Sequence, residues 1–88
     1  MLRSYRGVYP TVHPSAFVDT SAQIIGDVHL GPESSVWLNV VVRGDVNAIR
    51  IGARTNIQDL TLVHVMRDTH PAIIGDDVTI GHSAVVHG

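Results

Sequence analysis

Aliphatic side chains recur along this chain with a beat of six, at Val12, Val18, Ile24, Leu30, Val36 and Val42. The beat resumes after a step of nine at Ile51, Ile57 and Val63, and after a step of eleven at Ile74, Ile80 and Val86. A second column lies two residues before the first and runs from Ala16 and Ala22 through Val28, Ser34, Thr55 and Thr61 to Ala84, nearly all small or β-branched. A period of six fits neither the 3.6-residue helical turn nor the alternation of a free-standing hairpin. Valine, isoleucine and threonine favour strands. Glycines 26, 31, 52, 75 and 81 fall at or just beyond the beat, where a coil must bend. The pattern predicts an all-β chain with one short strand and one turn per hexad, and three hexads closing a triangular coil. About four coils stack as a parallel β-helix, ~4.8 Å apart, in a single domain over residues 1–88. The two long steps predict insertions at 43–50 and 65–73, protruding as loops that build a binding face.

Composition narrows the function classes. The 88 residues carry a net charge of −2, which gives no electrostatic footprint for nucleic acid. The absence of cysteine removes disulfides, thiolate metal sites and a Cys nucleophile, and leans towards a cytoplasmic protein. No window reaches the ~18 apolar residues of a membrane span, and the start lacks a signal-peptide run.

Sorting the hexads in threes places Ile25, Arg43, His64 and His87 above one another on one outer face, each just after a third-column aliphatic. His64 and His87 are then one coil apart, and side chains rooted ~4.8 Å apart can converge on one zinc ion. His82 lies on the adjacent face, around a corner and roughly 16 Å of extended chain from His87. It can join that metal from a neighbouring copy related by a threefold axis, completing a three-imidazole site with a fourth position for water. Asp59 falls beneath His82, Gln58 precedes it, and Arg43-Gly44-Asp45 opens the first insertion. Arg43 and Asp59 are placed to pair across the same interface. His13, His29 and His70 read as surface residues.

The stretches Ile25-Gly26-Asp27-Val28, Arg43-Gly44-Asp45 and Asn56-Ile57-Gln58-Asp59, the lone His64, and Gly81-His82-Ser83-Ala84-Val85-Val86-His87-Gly88 make the chain resemble the gamma-class carbonic anhydrases. These belong to the hexapeptide-repeat, left-handed β-helix group. The resemblance implies a left-handed coil and a homotrimer with Zn²⁺ (or Fe²⁺ or Co²⁺) at each subunit interface. His64 and His87 would come from one subunit and His82 from the next. It implies that Gln58 orients the metal-bound water, that Arg43 pairs with Asp59, and that Asp45 belongs to the interface network. The implied reaction is zinc-hydroxide hydration of CO₂ to bicarbonate. Val46 stands where well-studied members carry a glutamate, and the stretch 65–69 replaces an acidic loop, which leaves His70 as the stand-in proton shuttle. The family's C-terminal helix has no counterpart here, and the chain reads as the N-terminal part of a longer member. Two other functions fit the scaffold: a hexapeptide acyltransferase using one histidine as base without metal, and a non-catalytic trimeric assembly subunit that retains metal as a strut.

Overall fold

The computed structural model describes residues 1–67 and 70–88. Among them there are strands and no helix. The strands stack in parallel into two sheets that wrap one core. The larger runs Leu2–Arg3, Gln23–Leu30, Val41–Ile51, Leu62–His64, Val85–His87, with Thr11–Val12 and Ala72–Ile74 added to its two long strands. The smaller stacks Phe17–Val18, Ser35–Val36, Asn56–Ile57 and Thr79–Ile80. The result is a parallel β-solenoid of about four turns.

The hydrophobic beat becomes three vertical stacks. Val12, Leu30, Ile51 and Ile74 pair in register, as do Val18, Val36, Ile57 and Ile80. Ile24, Val42, Val63 and Val86 form the third stack. The inner members are buried, and Val12, Val18, Ile80 and Val86 of the outer coils are partly so. Period six therefore places one aliphatic per strand on the axis, and the hydrophobic effect fixes the register because a one-residue slip would turn each of them to solvent.

The second column does more than fill space. Ser34, Thr55 and Thr61 are each 1% exposed. The Ser34 hydroxyl donates to the Gly52 carbonyl at 2.7 Å and accepts the Thr55 N–H at 3.0 Å. The Thr55 hydroxyl donates to the Gly75 carbonyl at 2.6 Å and accepts the Val78 N–H at 3.3 Å. Each hydroxyl thus satisfies the backbone where a strand ends and the chain turns. Thr55→Val keeps the shape and deletes the hydroxyl, so it is expected to cost about 1–3 kcal/mol in urea unfolding. A loss under about 0.5 kcal/mol, the range of surface substitutions, would mean these hydroxyls are idle.

The corners depart from the expected glycine turns. Two corners per coil are turned by residues with side chains in the left-handed region: Glu33, Arg54 and Asp77 (φ 56°, 51° and 57°) at one, Asn39, Leu60 and Ser83 (56°, 64° and 55°) at the other. That conformation costs a residue with a Cβ about 1–2 kcal/mol. Backbone bonds from one coil to the next offset it, such as Leu60 N–H to the Leu38 carbonyl at 3.0 Å and Ser83 N–H to the Asp59 carbonyl at 2.9 Å.

The third corner is not a sharp turn. Gln23–Leu30 and Val41–Ile51 run straight through it, with Gly26 at φ 80°. Here the expectation of a protruding loop at 43–50 is corrected. The extra residues are absorbed as a bulge inside a continuous strand, between the Gly26–Gly44 and Val28–Ile49 pairs. The reason is local. Asp45 and Asn47 turn their side-chain oxygens onto the N–H groups of Val46 and Ala48, each at 2.8 Å, while the flanking backbone stays paired. The second insertion keeps Val65 buried and is tied to the first by Asn47 Nδ2 donating to the Met66 carbonyl at 3.2 Å. Asp68 and Thr69 of that insertion lie outside the described residues.

Candidate metal centre

Leu62–His64 and Val85–His87 are neighbouring parallel strands with His64 opposite His87. Val63 and Val86 take the axis, so both histidines face outward from the same sheet. Their ring centroids are 5.4 Å apart and the rings meet edge to face at 82°. His87 Nδ1 lies 2.9 Å from the Gly88 carbonyl. In the tautomer that donates from Nδ1 to this oxygen, Nε2 is the nitrogen left for a metal.

His64 sits in a closed triangle with two residues of the bulge. Asp45 Oδ1 is 3.0 Å from His64 Nε2, Arg43 Nη2 is 3.4 Å from His64 Nδ1, and Arg43 Nη1 is 3.6 Å from Asp45 Oδ2. The Asp45 and His64 side chains are only 16% and 21% exposed. Burial pushes the Asp45 carboxyl up, but the Val46 N–H, the His64 bond and the charges of His64 and Arg43 outweigh it, and the net shift is below the ordinary carboxylate value. The contact of Asp45 with His64 went unread in the sequence because Asp45 reaches the histidine only through the bulge. Within one chain Arg43 takes Asp45 as its carboxylate partner. Asp59 lies on another corner, so an Arg43–Asp59 pair requires a second chain.

His82 occupies the corner turn after Thr79–Ile80 and is exposed. The Ile57–Ile80 register puts Asp59 directly beneath it and Gln58 beneath Gly81. These residues line a shallow groove with Trp37 and Asn56. Trp37 packs against Phe17 with ring centroids 5.0 Å apart and the rings tilted by 44°, giving the groove one apolar wall. The Asn56 side-chain oxygen is buried and has no hydrogen-bond partner. Asn56, which the sequence offered only as part of the Asn56-Ile57-Gln58-Asp59 stretch, lines the groove as well.

Among the described residues of one chain, no three histidines or carboxylates gather closely enough to hold a metal. Two imidazoles are together and the third is one corner away. The donor set suits a borderline metal such as zinc, since it is all imidazole. His70 is exposed, and its carbonyl accepts the Met66 N–H at 3.3 Å. A Cβ added to Gly88 would lie 2.6 Å from that carbonyl, so the His70 backbone passes next to the end of the His87 strand.

No family model matches the chain. It is 57% identical over 84 residues to gamma carbonic anhydrase 1, mitochondrial, of Arabidopsis thaliana, covering 90% of this chain and 30% of that protein. It is 44% identical over 87 residues to a carbonic anhydrase of Geobacillus kaustophilus, covering 99% of this chain and 47% of the relative. The crystal structure of a hexapeptide transferase family protein from Anaplasma phagocytophilum superposes with a TM-score of 0.92 at 48% identity, covering 98% of this chain and 49% of that one. The chain thus spans between about a third and about half the length of these relatives. With the stacked columns, the paired histidines and these identities together, the chain belongs to the gamma-class carbonic anhydrase family of hexapeptide-repeat β-solenoid proteins.

Proposed function

We propose that this chain builds the metal centre of a gamma-type carbonic anhydrase, shared between copies in a homotrimer, and hydrates CO₂ to bicarbonate. The observation that supports this most is the register-locked His64–His87 pair with a third imidazole, His82, on the adjacent corner. His64 and His87 of one copy and His82 of the next would hold Zn²⁺, with Fe²⁺ or Co²⁺ as alternatives. Such an ion supplies Lewis acidity and turns water into a nucleophile near neutral pH. The chain's own residues then position the reactants. Gln58 offers its amide to orient the attacking water. Trp37 gives uncharged CO₂ an apolar wall. Asp45 orients the His64 ring from Nε2, and Arg43, 3.4 Å from Nδ1, would swing away to Asp59 of the neighbouring copy and leave that nitrogen to the ion. His70, beside the His87 strand, is the candidate to carry the proton to solvent.

The transferase name of the solved relative supports a second reading, a metal-free acyl transfer with one histidine as base. Metal analysis separates the two. Purified protein is expected to carry about one zinc or iron per chain, the stoichiometry of a three-histidine site, and His82→Ala to lose it. Stopped-flow CO₂ hydration should follow the metal. A metal-free protein with a single essential histidine would sink the anhydrase reading, while bound metal without turnover would favour the assembly subunit.

A further inference from the structure

Leu60 is out of place for an isolated chain. Its φ is 64°, and among the described residues every other non-glycine in the left-handed region is polar or charged. The same corner carries Asn39 one coil below and Ser83 one coil above, both short polar residues. Asparagine enters this conformation far more readily than leucine does. Burial does not explain the leucine either. Leu60 is 61% exposed, and Leu38, whose carbonyl accepts the Leu60 N–H, is 45% exposed. The chain therefore holds an apolar side chain in an unfavourable conformation and leaves it in water.

A cover from outside accounts for an exposed leucine at this corner, and the position names the cover. Leu60 follows Asp59, which lies directly beneath His82, and Ser83 N–H donates to the Asp59 carbonyl at 2.9 Å. His64 and His87 sit on the adjoining sheet, out of reach of their own His82. Another copy that brings its His64 and His87 to this His82 must seat itself along this corner. The outer ladder Val41–Leu62–Val85, with Val85 70% exposed, extends the apolar strip over the face that bears those histidines.

We infer that Leu60, with Leu38, is the apolar seal between copies of this chain beside the shared centre, and that this contact is what keeps a leucine at a corner where the coil imposes a left-handed conformation. This rests on the shared-centre reading above. It adds that assembly and the stability of the separate chain respond in opposite directions to the same substitution.

The test is a dilution series by sedimentation velocity on zinc-loaded wild type, Leu60→Asn, Leu60→Gly and Leu60→Met, with urea unfolding of each at concentrations where assembly is absent. For Leu60→Asn and Leu60→Gly, the concentration of half-assembly is expected to rise ~10-fold or more, as for a buried interface anchor. Leu60→Met should stay within ~3-fold, since it keeps an apolar side chain of similar volume. The dilute Leu60→Asn chain should unfold at an equal or higher urea concentration than wild type. Assembly of the Asn and Gly variants at wild-type concentrations would overturn the inference, as would a lower urea midpoint for dilute Leu60→Asn. A wild type that binds metal as a single chain, or never assembles, would instead overturn the shared-centre reading beneath it.

Discussion

Chains carrying His82→Ala and chains carrying His87→Ala are each expected to lose their metal, and to recover part of it when refolded together with zinc. If the centre is shared as proposed, every interface of a closed ring takes His64 and His87 from one copy and His82 from the next. A site is intact wherever a His82→Ala chain supplies the pair and a His87→Ala chain supplies the third ring. With equal mixing this occurs at about one interface in four, so about a quarter of wild-type zinc content and CO₂ hydration should return. The parent variants alone should retain a tenth or less, because a ligand contributes at least as much as the outer groups whose loss costs ~10–100-fold in affinity. Recovery cannot arise from a centre held within one chain. A mixture that stays metal-free would place the third ligand elsewhere.

The second large effect concerns Gly44, between Arg43 and Asp45. An added Cβ there would lie 2.6 Å from the Asp27 carbonyl oxygen and 2.9 Å from its carbon, with Val28 Cγ2 at 3.0 Å. The two nearest obstacles are backbone of the neighbouring coil, so no rotamer change relieves them. The coils must part, and the bonds that pair them lengthen. Gly44→Ala is expected to cost about 3 kcal/mol or more, at the upper end of overpacking substitutions, against a total of only about 5–15 kcal/mol for a domain. Gly75, where an added Cβ meets nothing within 4 Å, is the control. Gly75→Ala should change urea stability by no more than about 0.5–1 kcal/mol. Equal losses at both positions would mean that close approach is not what Gly44 provides. In whatever fraction of Gly44→Ala folds, Arg43 and Asp45 should also lose their grip on His64, which NMR of the imidazole would report.

The coil was legible in the sequence because one physical demand, an aliphatic on the axis of every strand, repeats without exception from Val12 to Val86. The same register argument brought His64 and His87 together and set His82 apart, since position on a solenoid follows from counting. What counting could not supply was local backbone behaviour. The bulge after Gly44 looks in sequence like any insertion, and only the turning of Asp45 and Asn47 onto the next N–H groups keeps it inside the strand. The corners were misread for a related reason. Turn signals rest on glycine and asparagine, whereas Arg54 and Leu60 turn corners because the coils above and below leave the chain no other path. Ser34 and Thr55 passed as small residues, and their hydrogen bonds became visible only with the carbonyls of the next coil in place.

The pairing of Leu62–His64 with Val85–His87 also acts as a ruler. The separation of the two imidazole roots is set by backbone bonds within the sheet, so binding between the rings has little leverage to change it. A metal of a different radius cannot be accommodated by stretching that interval. In the shared centre proposed above, adjustment would fall to ring rotation and to how the corner bearing His82 settles against the sheet of the next copy. Discrimination among metals should therefore be tuned at the contact between copies, by residues that never touch the ion.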